Sequence, residues 1–297
     1  MQHQDKWGRV ALFTAALIWG SSFFVMKNAV SGVPVFMLLA FRFTVGCALL
    51  SLVFMRRLKT CTRKVLGHGA IIGVLLYLSY SLQTFGLAET TPGKNAFLTA
   101  VYCVLVPFAS WAVYRKRPNR WNWIAAVGCI TGIGLVSLDG ELTIGRGDAL
   151  TLLSGVGYTF QVMAVSHYGE KDDPVLLTIV QFGTAAALSL VSSALTETMP
   201  ASLPAGALAE LIYLAVFATS IAILLQSVGQ SVTPAAPAAI LLSLESVFGV
   251  LFSVIFYHET VTPRLGIGFA LIFLAVIASE TQFTFLRPKR AQNIKTP

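Results

Sequence analysis

Residues 238–257 form an apolar run of twenty, AAILLSLESVFGVLFSVIFY, interrupted by one ionisable group, Glu245, near its middle. That is about the length an α-helix needs to cross a hydrocarbon core. A carboxylate at such depth costs at least a few kcal/mol unless it faces a partner, water or a cavity. Pro234 and Pro237 stand just before the run and Pro263 opens the next one, where a missing N–H does least harm.

The same design occurs earlier, at Asn95–Tyr114. A shift of 143 in the numbering pairs Gln83 with Gln226, Gly86 with Gly229, Thr90 with Thr233, Val104 with Val247, Ser110 with Ser253 and Tyr114 with Tyr257. Glu245 then falls opposite Tyr102. A shift of 139 pairs Trp19 with Tyr158, Arg42 with Gln181, Phe43 with Phe182 and Ala48 with Ala187. The order of these matches points to an internal duplication.

Of the 297 residues, 56% are apolar and 11% charged, and the mean hydropathy is +0.75. A soluble domain carries roughly a quarter charged residues, so the composition predicts a polytopic membrane protein. Ten apolar segments are expected, at 9–28, 35–55, 69–88, 95–114, 121–138, 148–167, 174–193, 207–228, 236–257 and 263–284. The start, MQHQDKWGR before an apolar run, is read as part of a retained first helix; it carries no small-residue cleavage signal. Met199–Gly206 is the most linker-like piece.

Basic residues set the expected orientation. With a cytoplasmic N-terminus, 16 of the 21 Lys and Arg flank the inner ends, among them Arg56, Arg57, Lys59, Arg63 and Lys64. The outer side holds only isolated Lys27, Lys94, Arg146 and Arg264, while Arg42 falls inside a span. The net charge of +8 therefore follows the membrane and does not imply nucleic-acid binding. Ten spans place both termini in the cytoplasm. Five spans per repeat, an odd number, give the halves opposite orientations, an architecture whose binding site lies near the midplane. The expected fold is all-α, with ten transmembrane helices as two inverted five-helix repeats around a central cavity. The repeats cover 1–143 and 144–286, and a basic cytoplasmic tail covers 287–297.

Cys47, Cys61, Cys103 and Cys129 have no CxxC spacing and read as packing residues; no metal site or cofactor is expected. His3, His68, His167 and His258 are scattered near span ends, and no HExxH, P-loop or GxSxG is present. An intramembrane enzyme is thus the weaker alternative. A passive, channel-like facilitator is indistinguishable from a transporter at this level.

The chain resembles an EamA-type member of the drug/metabolite transporter superfamily. The resemblance rests on Ile18-Trp19-Gly20-Ser21-Ser22, Phe41-Arg42-Phe43, the TTPGKNAFLT of Thr90–Thr99, Val106-Pro107 and Arg115-Lys116-Arg117-Pro118. In the second half it rests on Leu241–Ser246 and His258-Glu259. Lys116 stands where such chains often carry an acid, Ser246 where a proline is common, and Tyr158 in place of a Trp. The resemblance implies a multi-pass protein of a bacterial-type cytoplasmic membrane. It would move small metabolites by alternating access, often outward; amino acids and related amphipathic solutes are the family-based expectation.

Glu245 is the sharpest candidate, either a hydrogen-bonded structural acid or a substrate and proton site. Arg42 lies about 10 Å into its span at 1.5 Å per residue. It either snorkels to the headgroups or faces the cavity, holding a solute carboxylate or Glu245. Trp19, Tyr77, Tyr80, Asn95, Thr99, Tyr102, Tyr158 and Gln161 complete the expected substrate-binding set, a polar-aromatic cavity. Tyr77, Tyr80 and Ser81 share a helical face. Lys27, Glu89 and Lys94 read as interfacial anchors or gate pairs, and His258 and Glu259 as structural. The fifth and tenth spans, with Gly128, Gly132, Gly134, Gly266 and Gly268, suit close peripheral contact or a dimer face, so the chain is expected to be a monomer or a homodimer.

Overall fold

The computed structural model describes residues 2–282 apart from 139–142, 170, 199, 201, 204 and 234. The expected basic tail, and parts of the Met199–Gly206 linker, lie outside them. Among the described residues the only β contact is an isolated bridge between Leu138 and Ile144. The rest is helical: α1 (Gln2–Val30), α2 (Val35–Val53), α3 (Arg63–Glu89) and α4, which is broken at Ala100 into Pro92–Thr99 and Val101–Tyr114. They are followed by α5 (Arg120–Ser137), α6 (Arg146–Gly169) and α7 (Pro174–Thr196). Next, α8 runs as Ala207–Tyr213, a π-helical stretch Leu214–Ile221, and Ala222–Val232. The last are α9 (Ala235–Phe256) and α10 (Pro263–Thr281).

Among the described residues, eight helices are long and apolar enough to cross a membrane: α1, α2, α3, α4, α6, α7, α8 and α10. This is a multi-pass membrane protein. Of α9, Leu241–Phe256 counts as a shorter apolar helix, and α5 is 18 residues long. The expected 35–55 segment ends early, at Val53, and a separate turn, Met55–Leu58, carries Arg56 and Arg57. The 263–284 segment likewise stops at Thr281, with Gln282 in a left-handed conformation.

Local chemistry explains most helix starts. Thr62, Thr91, Asn119, Asp173 and Thr262 each accept a hydrogen bond from the first turn they precede, which satisfies a donor that has no partner inside the helix. Pro92, Pro174 and Pro263 follow such caps at positions that need no N–H. Pro107 lies inside α4 and cannot donate to the Cys103 carbonyl. The Ser279 hydroxyl of α10 donates to that oxygen instead, at 3.2 Å.

α3 packs along α6 and α7, α1 along α8 and α9, α2 along α7, and α5 along α10. One contact recurs in both halves. A Cβ on Gly86 would lie 2.5 Å from Thr151 Oγ1 and 2.8 Å from the Gly147 carbonyl. On Gly229, the repeat mate of Gly86, it would lie 2.6 Å from Leu12 Cγ and 2.9 Å from the Gly8 carbonyl. Gly8 and Leu12 are in turn the repeat mates of Gly147 and Thr151, at the shift of 139. The left-handed residues ending α4 and following α9, Arg115 and His258, are likewise repeat mates, at the shift of 143.

Candidate functional site

Between the helices lies a cavity of about 750 Å³. Its walls carry Trp19, Arg42, Tyr80, Thr99, Tyr102, Tyr158, Gln161 and Glu245 from the expected set. Two expected members stand elsewhere. The Tyr77 hydroxyl is 2.5 Å from Ser192 Oγ and its ring stacks on Phe36, so the side chain belongs to the contact of α3 with α2 and α7. At 100° per residue, Tyr77 and Tyr80 differ by about 60° around the helix, enough to send one ring into the cavity and the other into a packed seam. Asn95 is fully buried and donates to the Gln83 carbonyl at 3.2 Å and to Thr151 Oγ1 at 2.7 Å. It ties α4 to α3 and α6 away from the cavity. Ser81, read as sharing the face of Tyr80, is also absent from the walls.

The walls also include residues outside the expected set, among them Phe43, Gln83, Gln181, Phe182, Thr219 and Gln226. The sequence carried a signal for most of them. Trp19/Tyr158, Arg42/Gln181, Phe43/Phe182, Gln83/Gln226 and Tyr102/Glu245 are repeat mates by one or other of the two shifts, and both members of each pair line the cavity. The same holds for Ser22/Gln161, Met26/Val165 and Tyr80/Ile223.

The polar groups are held in place by one another. Tyr158 donates to Gln83 Oε1 at 2.9 Å, and Gln83 Nε2 donates to Thr99 at 3.0 Å. The Tyr80 ring stands edge-on to those of Phe43 and Tyr158, at centroid distances of 5.2 and 5.5 Å. The Trp19 indole donates to the Ala218 carbonyl at 2.8 Å. That carbonyl belongs to the π-helical stretch of α8, whose wider turns leave backbone oxygens for other donors. Thr219 and Ser220 return hydroxyls to carbonyls five residues earlier.

Arg42 is only 2% exposed, which excludes snorkelling. Its Nε donates to Thr219 Oγ1, Nη1 reaches Met26 Sδ at 3.6 Å, and Nη2 reaches the Tyr80 hydroxyl at 3.4 Å. The guanidinium also lies 4.7 Å from the Tyr80 ring centroid. Among the described residues no carboxylate pairs with it, so the expected alternative of an Arg42–Glu245 ion pair is not realised. Among the described residues of the cavity walls, Arg42 carries the guanidinium and Glu245 the carboxyl group.

The two ends of the bundle differ. At one, Lys27 donates to the carbonyls of Leu87 and Ala88, Lys94 pairs with Asp148 at 3.1 Å, and Arg146 pairs with Glu89 at 3.1 Å. There the buried Glu259 accepts from the Thr91 hydroxyl, the Ser253 hydroxyl and the Gly93 N–H. At the other end His68 meets Asp172 at 2.6 Å and Arg57 meets Asp173 at 3.1 Å. The cavity reaches this second end, where Ser166, Gly169, Pro174 and Thr178 line it. Asp148 went unread in the sequence, as a single acid at a helix start carries no motif.

Comparison with known proteins agrees with this architecture. A solved crystal structure superposes with a TM-score of 0.67 at 18% identity, covering 95% of this chain and 99% of that one, which speaks for the fold alone. An uncharacterized transporter of Archaeoglobus fulgidus is 34% identical over 268 residues, 90% of this chain and 84% of the relative. The uncharacterized transporter YvbV of Bacillus subtilis is 23% identical over 92% of both chains. The inner membrane transporter YedA of Escherichia coli K12, likewise uncharacterized, is 25% identical over 49% of this chain and 48% of its own. The EamA-like transporter family matches twice, over residues 6–138 and again over 145–280. With nearly its whole length accounted for by two copies of that unit, this chain belongs to the EamA-like transporter family.

Proposed function

We propose that the protein is a secondary transporter that carries small amphipathic metabolites, amino acids or related solutes, across a cytoplasmic membrane by alternating access. In this reading α1–α5 and α6–α10 are inverted repeats, all ten helices span the bilayer, and export is the direction of net flow. The basic residues Lys171, Arg57 and Arg63 at the His68 end support a cytoplasmic position for that end in this reading.

One observation carries the reading. Pro174 and Thr178 line the open end of the cavity, whereas their repeat mates Val35 and Leu39 are buried core at the opposite end. Equivalent residues in two halves of like sequence thus occupy an open and a packed environment. Exchanging those environments would close the inner mouth and open the outer one, which is what alternating access between inverted repeats requires. A packed outer end also favours a transporter over a through-going pore.

Glu245 is the proposed coupling residue, since it meets the cavity from within the membrane and would change the side it faces as the repeats rock. Its equivalent, Tyr102, carries no acid, so one carboxylate would serve both states. The experiment is solute flux in proteoliposomes, with and without a pH gradient. Glu245→Gln should abolish gradient-driven accumulation yet retain counterflow exchange. Concentrative, pH-dependent transport surviving in Glu245→Gln would return this residue to a structural role.

A further inference from the structure

We infer that the connection between α2 and α3, Met55–Lys64, is a docking surface for the phosphate headgroups of anionic phospholipids in the leaflet it faces. The inference stands apart from the transport reading and concerns what the protein binds beside the open end of its cavity.

The segment carries Arg56, Arg57, Lys59, Arg63 and Lys64, all of them exposed. Arg57 pairs with Asp173 at 3.1 Å. Among the described residues the other four have no carboxylate within ion-pair distance. Like charges so close along the chain repel one another. Arg63 and Lys64 moreover stand in the first turn of α3, where a helix favours acids. Helix stability therefore does not account for them.

The Met55–Leu58 turn has two faces. Residues three apart share a side of a helix, so Met55 and Leu58 form one face and Arg56 and Lys59 another. Met55 and Leu58 are exposed, as are Leu52 and Val53 on the last turn of α2. Because α2 ends at Val53, the turn falls where hydrocarbon gives way to headgroups. There apolar side chains meet acyl chains while Arg and Lys reach phosphates, as in basic amphipathic segments at membrane surfaces. Arg57 is held by the protein instead. Its partner Asp173 caps α7, and the next residue, Pro174, lines the cavity. A docked lipid would thus lie beside the cavity mouth.

The repeat does not require this charge. The equivalent connection, residues 195–203 at the shift of 139, holds no Lys or Arg. Its acid, Glu197, accepts from the N–H groups of Phe36 and Met37 at 2.8 and 2.9 Å. Orientation asks for basic residues at one end, but not for unpaired ones set against an exposed apolar face.

The full-length protein in detergent, titrated with lipid and followed by native mass spectrometry, tests this. Phosphatidylglycerol should bind at least about tenfold more tightly than phosphatidylcholine of the same chains, since each basic residue near an anionic surface contributes about fivefold. Arg56→Gln/Lys59→Gln should remove at least about tenfold of that affinity, and Arg56→Lys/Lys59→Arg should keep it. Met55→Ser/Leu58→Ser should weaken binding by at least about threefold. Lys116→Gln/Arg117→Gln, on the exposed connection between α4 and α5, should leave it unchanged. Equal binding of the two phospholipids overturns the inference. So does an equal loss in Lys116→Gln/Arg117→Gln, which would mean a diffuse attraction to the basic end. Glycerol 3-phosphate binding as tightly as phosphatidylglycerol would mark a site for soluble phosphates and overturn the lipid assignment. Should a double variant fail to fold, Lys59→Gln alone decides, with a loss of about fivefold expected and an unchanged affinity refuting the site.

Discussion

Glu259→Gln should unlatch the end of the bundle opposite the open mouth of the cavity. The carboxylate of Glu259 joins the turn after α9 to the start of α4, accepting from Thr91, Ser253 and, at 3.0 Å, the Gly93 N–H. A hydrogen bond to a charged group contributes about 1.5–3 kcal/mol and a neutral one about 0.5–1.5. Losing the charge therefore costs roughly 1 kcal/mol at each of the three bonds. The total of about 3 kcal/mol corresponds to a shift of about 150-fold in an equilibrium constant. The equivalent residue at the opposite end, Lys116, is exposed, so no matching clamp offsets the loss. The readout is Ser22→Cys, a cavity position, with the four native cysteines replaced and an impermeant maleimide added outside intact cells. In Glu259→Gln the labelling rate should rise at least tenfold. Gly93→Ala reaches the same point by another route, since the new Cβ would lie 2.6 Å from Glu259 Oε2 and 3.1 Å from Val250 Cγ2. An unchanged labelling rate in both variants, with both folded, would refute the clamp.

Gly86→Ala should destabilise the fold by about 1–3 kcal/mol, because its Cβ must displace Thr151 and the Gly147 backbone. Gly67→Ala, on the same helix with nothing within 4 Å, should be neutral or stabilising by up to about 1 kcal/mol; equal melting temperatures would contradict the packing of α3 on α6. For orientation, Leu203→Cys should react with an impermeant thiol reagent from outside and Lys116→Cys should not, both positions being exposed. Thr91 makes a poorer outside reporter, since it caps α4 and bonds to Glu259.

Most helix limits were legible in the sequence to within a few residues, as at Pro174 and Pro263, where a cap and a proline coincide. The reason is local. A chain in hydrocarbon must satisfy its backbone groups within each segment, so apolar length alone selects the helix. The repeat spacing went further and paired residues that line the same cavity, such as Arg42 with Gln181 and Gln83 with Gln226. Equivalent positions of the two matched units line one cavity, so one shift in numbering carries three-dimensional information.

Other features were decided by tertiary structure. Tyr77 and Tyr80 look alike at helical spacing, and only the neighbours on α2 and α7 determine that Tyr77 is packed and Tyr80 lines the cavity. Asn95 read as a ligand group until Gln83 and Thr151 took its amide. No local pattern marks the π-helical turn at Leu214–Ile221, whose carbonyl holds Trp19. Nor does any local pattern say which end of the cavity is open, because Pro174 and Val35 begin equivalent helices. Helix formation is settled within one segment, whereas the facing of a side chain and the choice of open end depend on small differences summed over contacts between helices far apart in the chain.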